Sequence, residues 1–170
     1  MINKLTSQDI DYVMRAHSEH PKKPSKAFRK NDGITPYFYH PIWCATCIAT
    51  ENLLNKELKD KGAQVLLYHD VLEDTILPIP QWITDEVKQD IIHMTFENSE
   101  HEMKEIWEKP SHIKLFKLYD KLHNLLESDY MLKEKREKYE QYAKKLLEFV
   151  EKEYGELNIV KLARGIIGGK

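Results

Sequence analysis

Val65-Leu66-Leu67-Tyr68-His69-Asp70-Val71-Leu72-Glu73-Asp74 is the stretch on which the reading of this chain turns. An apolar run leads directly into one imidazole and three carboxylates. Burying such groups without a partner is expensive, and a bound divalent cation is a natural partner for them. On a helix, His69 and Glu73 stand four apart, as do Asp70 and Asp74, so each pair shares a face. The competing reading is a polar C-terminal end of a core helix, with its acids turned to water.

Outward from this run the periodicity is helical and strand-like alternation is nearly absent, so the predicted fold class is all-α. Ser7-Gln8-Asp9-Ile10 reads as an N-cap opening a helix over 7–17. Residues 20–36, rich in Lys and Pro, interrupt regular structure, with Asn31-Asp32-Gly33 as a turn. A second helix starts near Pro41, a favoured first-turn residue. Its inward face runs His40, Cys44, Cys47, Glu51, Leu54, Leu58. A third helix spans 63–74, and Pro78 and Pro80 break the pattern before a fourth over 84–95. The acidic stretch 97–109 reads either as an exposed loop or as a short helix. A fifth helix over 111–130 sets Ile113, Lys117, Asp120 and Asn124 on one face. A sixth over 133–154 turns Tyr139, Ala143, Leu146 and Val150 inward. Beyond Gly155, Ile159, Val160 and Leu162 offer packing residues, and 168–170 are expected to fray. No repeat or low-complexity linker divides the chain, so residues 1–170 are expected to form a single domain.

Composition narrows the function. With 170 residues, 32% charged, and a net charge of −2, no global field draws the chain to nucleic acid. Locally, residues 22–30 carry five cations and no acid. That suits a loop handling a polyanion, with a solvated basic loop as the alternative. No run reaches transmembrane length and the N-terminus lacks the apolar core of a signal peptide, so the default expectation is a cytoplasmic protein without a membrane partner. The sequence leaves the oligomeric state open. The two cysteines, Cys44 and Cys47, have no second pair to complete a structural zinc site. They read as small thiols packing a core rather than as a redox or zinc motif.

His40, the His69-Asp70 pair and Asp120 fall at inward positions of three predicted helices. Two imidazoles and two carboxylates suit a borderline-hard divalent metal, and helix bundles build metal sites from facing helices in this way. Spacing alone does not single out these four from eight histidines and many acids. A resemblance does. His40-Pro41, His69-Asp70-x-x-Glu73-Asp74 and a later Asp120 resemble the HD-domain metal-dependent phosphohydrolases. Phe28-Arg29-Lys30, Gly33-Ile34-Thr35-Pro36-Tyr37 and His40-Pro41 are similar to the opening motif of the guanosine tetra/pentaphosphate (alarmone) hydrolases. Leu67 to Thr75 resembles their central helix, Lys114 to Leu125 their late ligand helix, and Tyr139-Glu140-Gln141-Tyr142-Ala143 their closing helix. The likeness runs in order over residues 10–150, and the short chain is like the stand-alone small hydrolases.

The resemblance implies an HD-domain helical bundle that removes pyrophosphate from the 3′ position of guanosine tetraphosphate (ppGpp). His40, His69, Asp70 and Asp120 are then the ligands of one divalent ion. That ion is usually Mn²⁺, with Zn²⁺, Fe²⁺, Co²⁺ and Ni²⁺ as the other candidates. Glu73 and Asp74 handle protons at the attacking water and the leaving oxygen. Arg29 stacks on or flanks the base, Lys30 meets the phosphates, Asn124 bonds the ribose or phosphate region, and Tyr139 closes the nucleotide pocket. Three plainer readings stay beside these: Arg29 and Lys30 as solvated loop cations, Tyr139 as a core aromatic, and Asn124 as a helix-surface residue. His17, His93, His101, His112 and His123 read as surface or packing histidines. The chain departs from the family pattern at Trp43, Cys44, Leu126 and residues 82–85, and the acidic stretch 97–109 has no counterpart. These departures fall on the pocket wall. They keep open a nucleotidase or dNTP hydrolase of the same fold, and a non-catalytic HD-like module that senses a nucleotide.

Overall fold

Residues 62–71 are buried without interruption, and the remaining helices pack around them. The computed structural model of the chain describes residues 4–168, and all regular elements among them are helical. In chain order these are α1 (Ser7–Glu19), α2 (Tyr39–Ala49), α3 (Lys56–Tyr68), α4 (Val71–Asp74), α5 (Asp85–Met94), α6 (Ser99–Glu105), α7 (Ser111–Leu126), α8 (Lys133–Tyr154) and α9 (Asn158–Gly168). The fold class is all-α, as the periodicity predicts. No helix among the described residues is long and apolar enough to cross a membrane.

α7 is the spine. It touches α2, α3, α5, α8 and α9, and Ile113, Leu115, Phe116, Leu118, Tyr119 and Leu122 are fully buried along it. Those residues cover more than one face of the helix, as expected for an element enclosed on several sides. Gly62 lets α3 approach it closely: a Cβ there would stand 2.7 Å from Phe116 Cε1 and 2.4 Å from Ile48 Cδ1, inside van der Waals contact.

Local signals fixed several boundaries as read. Thr84 caps α5 through Val87 N. α8 spans 133–154 and stops at Gly155, whose φ of 79° suits a residue without Cβ. Gly33, with φ 72°, makes the expected turn, and Asp32 Oδ1 accepts from Ile34 N and Thr35 N at 2.9 Å each.

Other boundaries differ. The N-cap of α1 is Thr6 rather than Ser7. It forms a capping box with Asp9, and α1 continues to Glu19. The helix predicted to run from Pro41 past Leu58 is two helices. α2 ends at Ala49, and Asn55 starts α3 by accepting from Leu58 N at 2.8 Å. Glu51 and Leu54 are buried in the loop between them, and Cys47 is only half-buried. The third predicted helix breaks at His69-Asp70, because the His69 ring takes the Leu66 carbonyl at 2.7 Å and disturbs the backbone ladder there. α7 stops four residues before Tyr130, and a 3₁₀ turn at Ser128–Tyr130 follows. The acidic stretch holds α6, capped by Asn98. Ile159 and Val160 of α9 are buried, whereas Leu162 is exposed. Gly168 is the last residue of α9, and the fraying expected at Gly169 and Lys170 lies outside the described residues.

Glu51 was read as an inward residue of α2, and from the loop it does a different task. Its carboxylate is 1% exposed. It accepts from Asn158 N at 2.8 Å, Ile159 N at 2.9 Å and Tyr119 Oη at 2.8 Å. A side chain from a distant loop thereby satisfies the free amides that open α9. Glu51→Ala is expected to lower stability by about 2–4 kcal/mol, since two amides and a phenol lose their acceptor. Urea unfolding is the measurement, and a change below about 0.5 kcal/mol counts against the cap.

Candidate metal centre and its cleft

His40 is the second residue of α2, His69 and Asp70 form the junction between α3 and α4, and Asp120 lies two-thirds along α7. The fold brings all four together. His40 Nε2 stands 3.2 Å from His69 Nε2, 3.3 Å from Asp120 Oδ1 and 3.5 Å from Asp70 Oδ2. His69 Nε2 is 3.2 Å from Asp70 Oδ2 and 3.8 Å from Asp120 Oδ1. One ligand atom each from His40, His69 and Asp120 fits within 4.8 Å. All four residues are buried.

Proton placement decides what this cluster holds. His69 Nδ1 faces the Leu66 carbonyl, so it carries a hydrogen and Nε2 points inward. His40 Nδ1 lies 2.8 Å from His123 Nδ1, and a proton on the His40 side leaves Nε2 of His40 inward as a lone pair. Two imidazole lone pairs and two carboxylates then converge on one point. The point demands positive charge. Burial opposes the charged form of His69, but Asp70 and Asp120 outweigh it and lift its pKa to about 9. Burial dominates at His40 and lowers it to about 3 despite the same carboxylates. The donor set fits a divalent cation of the Mn²⁺, Fe²⁺ or Zn²⁺ kind.

Supporting contacts lock the ligands in place. Tyr37 Oη donates to Asp70 Oδ2 at 2.7 Å, and Asn124 Nδ2 donates to Asp120 Oδ1 at 2.7 Å. Asn124 Oδ1 in turn accepts from Arg29 at 2.7 Å, and Arg29 Nε pairs with Glu127 at 2.7 Å. The Arg29 guanidinium also lies over the Tyr37 ring, 5.1 Å from its centre. Arg29 is buried, which rules out the solvated-cation reading for it. His123 packs under Trp43 with ring centres 4.7 Å apart, and Cys44 Sγ lies 4.0 Å from His40 Nδ1. Burial, opposed by Glu127, lowers His123 to about 4. In sequence His123 reads as a surface or packing histidine. The available signal was its place three residues after Asp120, on the neighbouring face of one helix.

A cavity of about 240 Å³ opens beside the cluster. Glu73 and Asp74 line it, together with Lys30, Asn124 and Tyr139. Burial, followed by the charge of Asp70, raises the pKa of both acids. Glu73 Oε1 accepts from Phe96 N at 2.9 Å, and Asp74 is ion-paired with Lys26. Lys30 is exposed at the rim. Tyr139 is buried, with Lys121 Nζ 5.4 Å from its ring centre. Lys26, Tyr37, Glu102 and Lys121 also line the cavity, although the sequence marked none of them as a site residue. Of the remaining histidines, His112 pairs with Asp90 at 2.9 Å and His101 with Glu97 at 2.9 Å.

Fold and site together define an all-α helical unit with a buried His/Asp cluster beside a cavity. No family model matches the sequence, and no curated protein matches it either. A solved structure described as a metazoan ortholog of SpoT, which hydrolyzes ppGpp and plays a role in starvation responses, superposes with a TM-score of 0.73. It is 21% identical, and the match covers 98% of each chain. At that identity the likeness is one of fold.

Two outcomes are expected. Equilibrium dialysis against Mn²⁺ with elemental analysis is expected to return about one ion per chain, and His69→Ala or Asp120→Ala should lower occupancy at least tenfold. Retained occupancy in both variants would refute the ligand assignment. The second concerns His17, which is fully buried, lacks a hydrogen-bond partner on either nitrogen and stacks on Tyr37 at 4.9 Å. Burial lowers its pKa to about 4, against 6.5 for an exposed histidine. The unfolded chain therefore binds a proton that the folded chain refuses between those values. The stability that neutral His17 confers is complete above pH 6.5 and is lost as pH falls towards 4, by up to about 1.4 kcal/mol per unit. His17→Phe is expected to flatten this part of a stability-against-pH curve read by urea midpoints.

Proposed function

We propose that the chain is a metal-dependent phosphohydrolase acting on a nucleotide. Guanosine 3′,5′-bis(diphosphate) is the substrate and pyrophosphate from its 3′ position is the group removed. The single observation that carries this reading is the convergence of His40, His69, Asp70 and Asp120 beside the Glu73-Asp74 pair, within one cavity. The fold shared with a protein that hydrolyzes ppGpp supports it.

His40, His69, Asp70 and Asp120 would hold a divalent cation, which would supply acidification of water and polarisation of a phosphoryl oxygen. The chain's own residues do the rest. Glu73, raised by burial and by Asp70, takes the proton from the attacking water at its carboxylate. Asp74, raised for the same reasons and tethered to Lys26, returns a proton to the ribose O3′ as the P–O bond breaks. Lys30 faces the phosphates. Tyr139 closes the pocket beside Lys121. We revise the part given to Arg29. Its guanidinium is committed to Glu127, Asn124 and the Tyr37 ring, so it holds Asn124 against Asp120 instead of stacking on a base. Asn124 correspondingly orients a metal ligand and presents its remaining edge to the cavity.

Mn²⁺ is the ion we assign, with Zn²⁺, Fe²⁺, Co²⁺ and Ni²⁺ compatible with the same donors. The reading treats residues 1–170 as one cytoplasmic phosphohydrolase domain with a small-molecule substrate and no nucleic-acid or membrane partner. One observation favours a less charged nucleotide: Glu97 adds a carboxylate to the cavity wall.

Incubation with Mn²⁺ separates the two readings. Guanosine tetraphosphate should release pyrophosphate faster than nucleoside monophosphates release phosphate, and the reverse order assigns a nucleotidase. Glu73→Gln is expected to reduce turnover at least about 100-fold while metal content stays near normal. Unchanged turnover refutes the role given to Glu73, and tight nucleotide binding without turnover in the parent chain identifies a sensor.

A further inference from the structure

α6 docks in an unusual manner. Its one buried residue is a carboxylate, Glu102, at 6% exposure. That carboxylate reaches Lys121 Nζ at 2.9 Å through either oxygen and Lys117 Nζ at 3.3 Å. Both lysines are buried on α7, and each also faces Asp120 Oδ2, at 3.2 Å from Lys117 and 3.1 Å from Lys121. Glu102, Lys117, Lys121 and Asp120 all line the cavity that holds Glu73 and Asp74.

The charges explain why this matters. Two lysines, Asp120 and Glu102 sum to zero. Asp120 turns Oδ1 to the histidines and Oδ2 to the lysines, so its charge is shared between two demands. Glu102 is the exchangeable member: it comes from a seven-residue helix with no other buried side chain. Lysine pairs at ion-pair distance from a carboxylate oxygen accept a phosphoryl oxygen equally well, and a phosphoryl group brings more acceptors and more charge. Phe96 and Tyr139 flank the two ammonium groups, with ring centres 5.1 Å from Lys117 Nζ and 5.4 Å from Lys121 Nζ. The rings limit water access from two sides.

We propose that Lys117 and Lys121 form a phosphoryl-binding subsite on the α7 wall, that Glu102 occupies it in the absence of ligand, and that an anionic group of the substrate displaces Glu102 and releases α6. The proposal rests on the phosphohydrolase reading, and it deepens that reading by naming where a second phosphoryl group sits and what it must displace. Glu102 is thus a specificity-determining residue: it penalises ligands too weakly charged to replace it.

Inorganic pyrophosphate is the probe, because its binding requires no turnover. Isothermal titration of the full chain should show Glu102→Gln binding pyrophosphate about tenfold or more tighter than the parent, since the variant keeps the shape and loses the competing charge. Equal or weaker binding overturns the proposal. Hydrogen exchange on the unaltered chain gives an answer that does not depend on the variant's folding. Saturating pyrophosphate should speed exchange of amides 99–105, and unchanged or slower exchange there overturns the release of α6. Loss of nucleotide hydrolysis with these two results intact would count against the phosphohydrolase reading and leave the subsite standing.

Discussion

The structure depends on the meeting of two imidazole nitrogens and two carboxylates in a buried space where like groups repel. His40 Nε2 and His69 Nε2 are 3.2 Å apart, each within 3.5 Å of Asp70 Oδ2. Desolvated carboxylates at such spacing are costly without a compensating positive charge. The fold accepts this arrangement because rigid helices hold every participant, and each ligand is tied from behind. The Leu66 carbonyl fixes His69, His123 fixes His40, Tyr37 fixes Asp70 and Asn124 fixes Asp120. Second contacts of this kind set tautomer and orientation, and so determine how well the ligands grip an ion.

α7 links this centre to the rest of the core. One helix carries Asp120, the lysines that flank it, His123 and Asn124, while its apolar residues pack on α2, α3, α5, α8 and α9. A disturbance of core packing along α7 therefore reaches the ligand sphere directly. The contact at Gly62 is one such place, since a side chain there would push on Phe116, four residues before Asp120. Stability and site geometry are coupled through a single element. The deep burial of Asp120 follows from the same cause, and Lys121 and Lys117 overcome the resulting desolvation to hold its carboxyl well below the usual carboxylate range.

What was legible in the chain is what depends on neighbours in sequence. The all-α class, the cap at Thr84, the limits of α8 and the turn at Gly33 follow from periodicity and from residues with local hydrogen-bonding or backbone preferences. The cluster of His40, His69, Asp70 and Asp120 was legible only as a joint pattern, because no spacing distinguishes a histidine of such a cluster from a packing one. Features that depend on distant partners escaped. The split between α2 and α3 reflects Glu51 turning away to cap a helix more than a hundred residues later. The interruption between α3 and α4 falls where the His69 ring meets the Leu66 carbonyl, a contact that periodicity does not mark. Arg29 reads in sequence as a residue that stacks on or flanks a base, with a solvated loop cation as the alternative, and its ties to Glu127 and Asn124 at the far end of α7 have no local signal.

The acidic stretch 97–109 shows most clearly how tertiary context assigns meaning to a residue. In sequence, Glu102 is one acid among several on a short polar helix, and solvation is the default for such a residue. In the fold it is the counter-charge to two lysines that are themselves buried on the helix that carries Asp120. Removing it would leave those ammonium groups facing the cavity with Asp120 as their shared acid, so the potential at the phosphate side of the site is set from a segment outside the ligand helices. Such an arrangement separates two properties that a single helix could not tune independently. α7 and the α3–α4 junction hold the His/Asp cluster and the Glu73-Asp74 pair, and α6 sets part of the charge of the adjoining wall. Changes along 97–109 can then alter the charge of the cavity wall while the His/Asp cluster stays intact.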